Sequence, residues 1–450
     1  MSFGFLHNKW FKFSLWGGLY LLWVIWLGNY WWLLGLAVIF DLYITKKVKW
    51  AFWRKRPEKG GKSNGWLEWL DALIFALVAA TFIRMFFIEA YTIPTGSMEK
   101  TLLVGDYLFV SKVAYGPRVP ETPISFPLVH NVMPITGGES YSEIIKNDYR
   151  RLKGFSNVKR DDIVVFGFPH GDTVLKALPQ DDYYQLVRMN DNNREYTQKM
   201  YGPVIVRPND KKDNYVKRCV AVAGDTLSVV NGNVFVNGVP QPEFEGLQST
   251  YTVYTNGSAI NPKILKEIGL TPQEVYFDPS LPGYPDMTLT KSELAKVKDL
   301  AVVAEIRENI DVYPPDYPDS PILLFPFTEN FEWTRDNYGP IWVPAKGATV
   351  GLTLENLPLY QRIISAYEKN SLEVKDGEIY INGEKSDSYT FKQDYYFMMG
   401  DNRHHSLDSR YWGFVPEDHI VGKPAMLWFS TDKYESFPSN IRWNRLFKFL

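Results

Sequence analysis

The sequence is poor in the residues that build disulfides and metal centres. Its 450 residues contain one cysteine, Cys219, and six histidines. A single cysteine excludes an intrachain disulfide, and apolar neighbours predict that Cys219 is a buried core thiol rather than a reactive one. No HExxH motif or Cys/His cluster occurs, so we expect no metal and no cofactor. His404 and His405 are adjacent in a polar stretch, which favours loop or surface positions.

The chain also lacks a charge excess of either sign. It has 49 basic and 51 acidic residues, and its formal net charge is −2. Nucleic-acid binding requires a strongly positive field, so we predict no nucleic-acid partner. The apolar fraction of 45% supports a sizeable core and excludes disordered and fibrous classes.

Charge is absent altogether from the run between Phe13 and Phe40. This run is long enough to cross a hydrocarbon core of about 30 Å as one tilted helix, which is the structure that we predict. Gly28 and Asn29 interrupt it, so a helical hairpin is the alternative, although each arm would then be too short to cross. No small-x-small site closes the run, which argues against a cleaved secretory signal.

A second apolar segment, from Trp66 to Ile88, contains Glu68, Asp71 and Arg84 near its ends. Such side chains can reach the headgroups, so we predict a second transmembrane helix, with a buried amphipathic helix as the alternative. Between the two segments lies the basic stretch KKVKWAFWRKRPEKGGK. Short basic loops stay in the cytoplasm, so we expect a multi-pass membrane protein with everything beyond Ile88 outside.

Beyond Tyr107, short alternating runs such as DYLFVSKVAYG, DIVVFGFP and YVKRCVAVAGDTLSVVNGNVFVNG predict a mostly β domain. Asn-Gly pairs at Asn231 and Asn237 supply turns that require positive φ. The segments LSVVNGNVFVNGVPQ, from Leu227, and LEVKDGEIYINGEKS, from Leu372, match in spacing and turn residues. Two copies indicate a repeated hairpin rather than a solenoid.

The first candidate catalytic residue is Ser97, in the stretch EAYTIPTGSMEK. Pro94 and Gly96 flank it just beyond the second apolar segment. A serine nucleophile needs a base, and the histidines show no partner pattern. A lysine can serve if burial and the lack of a counter-charge lower its pKa. Lys217 stands at the head of the apolar strand VKRCVAVAG. Taken singly, Ser97 is typical of a structural turn serine and Lys217 of a strand-edge lysine.

A third stretch, YYFMMGDNRHHSLDSRYWGFVPEDHIVGKP from Tyr395, has a density of polar residues that is too high for an ordinary hairpin; an ion-paired loop is its general interpretation. IPTGSM, DIVVFGFP, VKRCVAVAGD and MMGDNRHHSLDSRYWGFVP, in this order after apolar segments, resemble the successive signature boxes of the bacterial type I signal peptidases. A lysine in the second role, rather than a histidine, indicates the bacterial branch.

This resemblance implies a membrane-bound serine endopeptidase that removes N-terminal signal peptides from exported preproteins without a cofactor. Ser97 would be the nucleophile and Lys217 the general base, and the Ser97 N–H and the Thr95 hydroxyl would hold the oxyanion. Ser406 would orient the lysine. The resemblance also implies an ionic scaffold and a substrate pocket, formed respectively by Asp408, Arg410 and Asp401, and by Tyr91, Ile93, Met98, Leu102 and Leu108.

The resemblance further implies a place in the bacterial cytoplasmic membrane, with the catalytic domain on the periplasmic side, in contact with lipid and near the secretion translocon. Two alternatives are a Ser/Lys protease for a narrow set of exported substrates and an inactive membrane-tethered binding homologue. Ala221 and Ala223 stand where the family often has Gly and Pro, which leaves the conformation of that turn open.

We therefore divide the chain into a membrane part, residues 1–65 and 66–90, and a β-rich catalytic core in two parts, 91–240 and 371–450. Residues 241–370 are predicted to form an inserted subdomain, with a short helix around Lys291 to Ile306 and a proline cluster from Val312 to Pro321. A smaller insertion is expected at about 170–213.

Overall fold

The computed structural model describes residues 8–48, 65–169, 174–175, 178, 182–271, 275–313 and 324–450. Within these ranges, two helices are long and apolar enough to cross a membrane, α1 (Lys9–Leu27) and α3 (Gly65–Phe86). Helix α1 begins after Asn8, whose side chain accepts a hydrogen bond from the Trp10 N–H. It ends at Gly28, which has φ +63° and donates its N–H to the carbonyls of the last turn.

After Gly28 the chain reverses direction through a 3₁₀ turn (Tyr30–Leu34), helix α2 (Gly35–Phe40) and a π turn (Asp41–Thr45). The rings of Phe13 and Phe40 lie 5.3 Å apart, and Tyr20 donates its hydroxyl to the carbonyl of Trp32 at 2.7 Å. The prediction of one helix from Phe13 to Phe40 is therefore wrong, and the hairpin alternative is correct.

The physical reason for the reversal lies at the turn itself. Glycine adopts the left-handed conformation without a steric penalty, and Asn29 caps the next turn by accepting from the Trp31 N–H. The argument that a hairpin arm is too short to cross does not hold for the first arm, because α1 begins at Lys9, upstream of the charge-free run. Its 19 residues extend over about 28 Å, close to the thickness of the hydrocarbon core.

Helix α3 confirms the second predicted helix, except that Ile88 already belongs to a strand. Only 6% of its apolar window is buried, and the side chains of Phe75 and Val78 are 76% and 65% exposed. This exposure excludes the alternative of a buried amphipathic helix. In the basic stretch between the two segments only residues 46–48 belong to the described part of the chain, and the remainder lies outside it.

The largest sheet has eight antiparallel strands in the order β1-β2-β21-β3-β6-β19-β20, with β22 paired to β21. These strands are β1 (Ile88–Thr92), β2 (Asp106–Ser111), β3 (Ile163–Gly167), β6 (Asn214–Ala221), β19 (Tyr395–Met399), β20 (Val415–Pro416), β21 (Ile420–Ser430) and β22 (Lys448–Phe449). Strand β1 follows α3 directly, so the sheet is joined to the second apolar helix through its edge. The prediction of a β-rich domain is confirmed.

The smaller sheets are ordered β13-β7-β8-β9, β15-β16-β17, β11-β10-β12, β14-β18 and β4-β5. Their strands are β4 (Val174–Leu175), β5 (Val204–Ile205), β7 (Thr226–Val230), β8 (Asn233–Val236), β9 (Val239–Pro240), β10 (Gln248–Thr255), β11 (Gly283–Thr290), β12 (Val303–Glu308), β13 (Tyr338–Trp342), β14 (Thr349–Gly351), β15 (Leu372–Lys375), β16 (Glu378–Ile381), β17 (Glu384–Lys385) and β18 (Ser388–Thr390). Short helices are α4 (Tyr183–Met189), α5 (Arg194–Tyr201), α6 (Pro262–Ile268), α7 (Lys291–Lys298), α8 (Leu357–Arg362) and α9 (Ser409–Trp412).

The predicted repeat is confirmed as two three-stranded meanders, β7-β8-β9 and β15-β16-β17. Asn231 and Asn237 have φ of +47° and +53°, and the glycine after each is also positive, as the Asn-Gly turns require. Cys219 is fully buried, as predicted, and burial raises the pKa of its thiol.

The region predicted as an inserted subdomain contributes to two hydrophobic cores. Sheet β11-β10-β12 packs with α6 and α7 around a cluster of its own that includes Val253 and Leu289. Tyr338 and Leu357, further along, pack instead with Phe397 of β19 in the core of the main domain. The helix expected around Lys291 to Ile306 is too long, because α7 ends at Lys298 and β12 begins at Val303. The boundaries of the subdomain stay a prediction.

The smaller predicted insertion contains α4 and α5. Tyr183 and Val187 of α4 form a small core with Leu175, and Tyr201 at the end of α5 packs against it. Residues 170–173, 176–177 and 179–181 of this stretch lie outside the described residues, as does the proline cluster from residue 314 onward.

Candidate active site

Ser97 lies in a 3₁₀ turn, Gly96–Met98, that follows β1 after a short extended segment. Thr95, immediately before the turn, has extended backbone angles of φ −127° and ψ 153° and an exposed side chain. Met98 is fully buried and anchors the turn in the core, whereas Ser97 retains 8% exposure. The serine is thus fixed at the edge of the core with a small opening to solvent.

Lys217 lies within β6 and is paired in register with Val164 of β3. Its side chain crosses to the serine turn, and Nζ lies 2.5 Å from Ser97 Oγ. Lys217 is 3% exposed. The structure therefore brings together, inside the protein, two residues that are 120 positions apart in the sequence.

Burial lowers the pKa of the Lys217 amine to about 8, although the negative charges of Asp408 and Asp401 oppose the shift. No carboxylate of the described residues forms an ion pair with this amine. A lysine with such a pKa is partly neutral near neutral pH and can then accept a proton.

Asp401 follows β19 and is held by Arg218, the residue after Lys217. Arg218 donates from Nε to Oδ1 at 2.7 Å and from Nη2 to Oδ2 at 2.6 Å. Thr101 Oγ1 also donates to Asp401 Oδ2, at 2.6 Å. The loop that begins at Asp401 is therefore tied both to the strand of Lys217 and to the segment that follows Ser97.

Asn402 completes this connection. Its backbone N–H donates to the carbonyl of Ser97 at 3.2 Å, and its Nδ2 donates to the carbonyl of Gly96 at 3.2 Å. Arg218, Thr101 and Asn402 were not predicted from the sequence. Two of these are visible in retrospect inside the signature boxes VKRCVAVAGD and MMGDNR.

Asp408 and Arg410 form a buried bidentate pair, with Nε 2.9 Å from Oδ1 and Nη2 2.8 Å from Oδ2. The Gly400 N–H donates to Asp408 Oδ2 at 3.1 Å. Burial alone would raise the pKa of Asp408, but Arg410 and the backbone N–H donors hold it below its usual value. Together with Asp401, this pair braces the loop beside Ser97 and Lys217.

Ser406 is 4% exposed and lies against Gly400, but its Oγ has no hydrogen-bond partner among the described residues. The hydrogen bond from Ser406 to Lys217 that the resemblance implies is not formed in this structure. Thr95 makes no side-chain cap to the serine turn.

The five residues predicted to line a substrate pocket pack together in one part of the core. Four of them belong to one hydrophobic cluster and are at most 4% exposed, namely Ile93, Met98, Leu102 and Leu108. Tyr91 packs against the edge of this cluster and donates its hydroxyl to Glu89 at 2.8 Å.

Residues outside the signature boxes support the same loop. The backbone of Gln248 in β10 donates to the carbonyl of Asp401 at 2.9 Å and accepts from the Arg403 N–H at 3.1 Å. His404 Nε2 lies 2.8 Å from Asp336, and the His404 side chain is buried. His404 is thus a buried loop residue.

The sequence left the conformation around Ala221 and Ala223 open, and the structure forms a hydrogen-bonded turn there. The Asp225 N–H donates to the carbonyl of Val222 at 3.0 Å, and Gly224 has φ +88°.

Comparison with known proteins gives one consistent family. A sequence model of the family described as signal peptidase, peptidase S26, matches residues 66–278 and 385–429, together more than half of the chain. These ranges contain Ser97, Lys217 and the loop from Asp401 to Arg410.

Individual relatives agree with the family match. Signal peptidase I of Buchnera aphidicola subsp. Acyrthosiphon pisum is 25% identical over 401 residues, which cover 88% of this chain and 85% of the relative. Signal peptidase I of Haemophilus influenzae is 25% identical over 382 residues, 84% of this chain and 74% of the relative. The Helicobacter pylori (strain J99) enzyme of the same name is 24% identical over 392 residues, 85% of this chain and 90% of the relative. This chain belongs to the signal peptidase family, peptidase S26.

Proposed function

We propose that this protein is a membrane-bound serine endopeptidase that removes N-terminal signal peptides from exported preproteins, with Ser97 as nucleophile and Lys217 as general base. The observation that carries the proposal is the 2.5 Å contact between Ser97 Oγ and Lys217 Nζ inside the protein. Membership of the family signal peptidase, peptidase S26, indicates that the reaction is hydrolysis of a peptide bond, and the relatives carry the name signal peptidase I.

The reaction begins with the neutral form of Lys217. The Ser97 hydroxyl donates its hydrogen to Nζ, and as Oγ bonds to the scissile carbonyl carbon the proton passes to the amine. The tetrahedral intermediate then breaks its C–N bond, and the Lys217 ammonium returns the proton to the leaving amine. An ester between Ser97 and the signal peptide remains. Lys217 takes a proton from water as the water oxygen attacks the ester carbonyl carbon. When the C–Oγ bond breaks, the Lys217 ammonium returns that proton to Oγ, and the signal peptide leaves as a carboxylic acid that loses its proton to solvent.

The negative charge on the carbonyl oxygen would be held by the Ser97 N–H and the Thr95 hydroxyl. The first N–H groups of a helical turn have no acceptor within the turn, so the N–H of Ser97 is suited to a substrate oxygen. Thr95 is exposed, which leaves its hydroxyl accessible to the same oxygen. One such donor is worth on the order of 3 kcal/mol of transition-state stabilisation.

Ser406 would orient the Lys217 amine once substrate is bound, with Asp408, Arg410 and Asp401 as its scaffold. Support comes from its buried hydroxyl, which has no partner among the described residues and is therefore available to the amine. A Ser406→Ala variant should unfold at the same temperature as the native protein and cleave more slowly. An unchanged rate would remove Ser406 from the mechanism.

The position of Ser97 suits a substrate that emerges from the bilayer. A single short strand separates the end of α3 from the serine turn, so the nucleophile would lie near the membrane surface. A signal peptide presents its small-x-small cleavage site just after its hydrophobic segment. The tight cluster of Ile93, Met98, Leu102 and Leu108, with Tyr91, would accept those small side chains.

The orientation of the protein follows from its charges. The basic stretch from Lys46 to Lys62 would remain in the cytoplasm, so α3 would carry the catalytic domain to the extracytoplasmic side of a bacterial cytoplasmic membrane. In that arrangement the hairpin of α1 returns the chain to the cytoplasm before the basic stretch. Contact with lipid and proximity to the secretion translocon are part of this proposal.

Residues 241–370 would be an accessory region inserted into the catalytic core. The family match supports this for residues 279–370, since it stops at 278 and resumes at 385, whereas residues 241–278 lie within the match. The separate core around Val253 supports it for the first half of the region.

The test of the proposal is cleavage of a preprotein by the full-length protein in detergent. Native protein should cut after a small-x-small motif, and Ser97→Ala and Lys217→Ala should each abolish the cut. Ser258→Ala and Lys298→Ala, both at exposed positions, are matched controls and should retain native rates. Cleavage that persists in both active-site variants would refute the assignment of the two residues.

A further inference from the structure

Two cavities adjoin where the catalytic domain meets the membrane helices. The first, the basic cavity, has a volume of about 140 Å³ and lies between the end of α3, strand β1, Lys112 just after β2, and the segment from Arg118 to His130. The second, the apolar groove, has a volume of about 1230 Å³ and lies between α1, the return arm (residues 30–45) and α3. Met85, Pro120 and Pro123 line both, so the two spaces are contiguous.

The basic cavity has an excess of positive charge. Its charged lining residues are Arg84, Lys112, Arg118 and Lys211 against Glu89 and Asp210. His130 also lines it, and burial lowers the pKa of this histidine, which keeps the ring neutral. The lining therefore carries two more positive than negative charges.

The two carboxylates do not neutralise all four cations. Glu89 is shared, since it accepts from Arg84 Nε at 2.6 Å and lies 2.8 Å from Lys112 Nζ. Lys211 donates to the hydroxyl of Ser125 at 2.8 Å. Asp210 accepts from the Thr122 N–H and hydroxyl through Oδ2, while its buried Oδ1 has no partner among the described residues.

Arg118 bonds to uncharged groups. It donates to the backbone carbonyls of Asn209 and Asp418, and the described residues include no ion pair to it. Glu121 and Asp418 interact electrostatically with Arg118 but do not line the cavity. Within the lining, if Asp210 is counted against Lys211, the three remaining cations face only Glu89.

The cations also destabilise one another. Burial is the main cause that lowers the pKa of Lys112; Glu89 opposes this shift, and the nearby charges of Arg118 and Arg84 add to it. Burial likewise lowers the pKa of Lys211, with Asp210 and Glu89 opposing the shift and Arg84 and Lys112 adding to it. An anion in the cavity would relieve both desolvation and repulsion.

The apolar groove has the opposite character. Leu19 and Trp23 of α1, Trp32 of the return arm, and Phe82 and Phe86 of α3 form its walls. Because α1 and α3 are both long and apolar enough to cross a bilayer, a membrane around them would place the groove at the depth of the acyl chains and the basic cavity at the level of the headgroups.

We propose that the basic cavity and the apolar groove together bind one anionic phospholipid, with its phosphate among Arg84, Lys112, Arg118 and Lys211 and an acyl chain in the groove. A phosphodiester supplies the negative charge that the cavity requires, and its own acyl chain fills the adjoining apolar space. The signal peptide fits this pair of spaces less well, because its hydrophobic segment is followed by small uncharged residues. This site depends on the membrane anchoring of the chain and not on the Ser97–Lys217 pair.

The first test compares lipids on the native full-length protein. Protein purified in a zwitterionic detergent is mixed with phosphatidylglycerol or with phosphatidylcholine of identical acyl chains, and bound lipid is counted by native mass spectrometry. We expect one phosphatidylglycerol to be retained and phosphatidylcholine to be lost. Equal retention of the two lipids would overturn the proposal. So would inorganic phosphate that displaces the lipid at millimolar concentration, since this would indicate a site for a free anion.

The second test uses single substitutions. Arg84→Gln and Lys211→Gln should each weaken phosphatidylglycerol retention about fivefold, the effect of one cation near a lipid phosphate. Lys153→Gln is the matched control, because Lys153 is exposed, lies outside both cavities, and its backbone carbonyl accepts from Trp26 of α1 near the membrane. Equal losses in all three variants would show only unspecific attraction and would overturn the site.

Leu19→Trp narrows the groove without changing charge and should also reduce lipid retention. Melting temperatures in lipid-free detergent identify any variant that fails to fold, and the lipid panel on native protein needs no variant at all. Cleavage of a preprotein, measured on the same samples, separates the two proposals. Native cleavage without lipid selectivity would remove the lipid site and leave the proposed function intact.

Discussion

Arg218 grips both carboxylate oxygens of Asp401 from the position next to Lys217, at 2.7 and 2.6 Å. The strand that supplies the proposed base is thereby fastened to the loop that holds the turn of Ser97, the proposed nucleophile. Both partners are buried, with Arg218 7% and Asp401 0% exposed at the side chain. The spacing between Lys217 and Ser97 thus depends on an ion pair between two further residues.

We predict that Asp401→Asn lowers the free energy of unfolding by about 3–5 kcal/mol, because it leaves the buried Arg218 without its counter-charge. Denaturant unfolding of the detergent-solubilised protein measures this. Lys385→Gln is the control, since its pair with Glu378 is exposed on both sides and its loss should change stability by less than about 1 kcal/mol. Similar losses in the two variants would show that the Arg218–Asp401 pair does not brace the site.

Activity should rise with pH through the pKa of Lys217, which burial lowers to about 8. The base acts in its neutral form, so kcat/KM should increase about tenfold for each pH unit well below 8 and level off above about 9. Initial rates on a fixed preprotein between pH 6 and 10 measure the profile, and tryptophan fluorescence at each pH confirms that the protein stays folded. A flat profile from pH 6 to 9 would exclude a lysine base.

Replacement of Thr95 separates a hydroxyl donor from a residue that only fills space. Thr95→Val keeps the shape and removes the hydroxyl, and we expect kcat to fall about a hundredfold with little change in KM. Thr95→Ser restores the hydroxyl and should recover most of the rate. Because Thr95 is exposed, both variants should melt with the native protein. Native kcat in Thr95→Val would leave the oxyanion to other donors.

Gly400, just before the loop that begins at Asp401, lies against the turn of Ser97. A Cβ atom there would lie 2.5 Å from the carbonyl oxygen of Ser97 and would also strike the side chain of Ser406. We therefore expect Gly400→Ala to destabilise the protein by at least about 1–3 kcal/mol and to reduce cleavage severely. Melting temperature and cleavage rate are measured on the same sample.

Gly351→Ala is the matched control for this substitution, because nothing lies within 4 Å of its added Cβ. It should behave like native protein. A fully active Gly400→Ala variant would mean that the loop can withdraw from the serine without loss of function.

Local patterns in the sequence were sufficient to predict the β domain. Alternating runs gave the strands, and the Asn-Gly pairs gave turns that the structure forms with positive φ at Asn231 and Asn237. The depressed pKa expected of Lys217 needed only its apolar neighbours, since burial is its main cause. These features depend on contacts between residues near one another along the chain or on the composition of one strand.

Features that depend on distant contacts were missed or misjudged. The reversal at Gly28 is stabilised by packing of Phe13 against Phe40, which no window of hydropathy reveals. The support of Asp401 by Arg218 joins residues 183 positions apart. The contribution of Gln248 arises from its backbone, so its side chain gives no signal.

The backbone hydrogen bonds of Gln248 also connect the sheet that contains β10 to the loop beside Ser97. They hold both sides of Asn402, which in turn holds the carbonyl of Ser97. A compound or antibody fragment that displaces this sheet would loosen the turn of Ser97 without binding next to that residue. Inhibition could then be sought on a surface remote from the scissile bond.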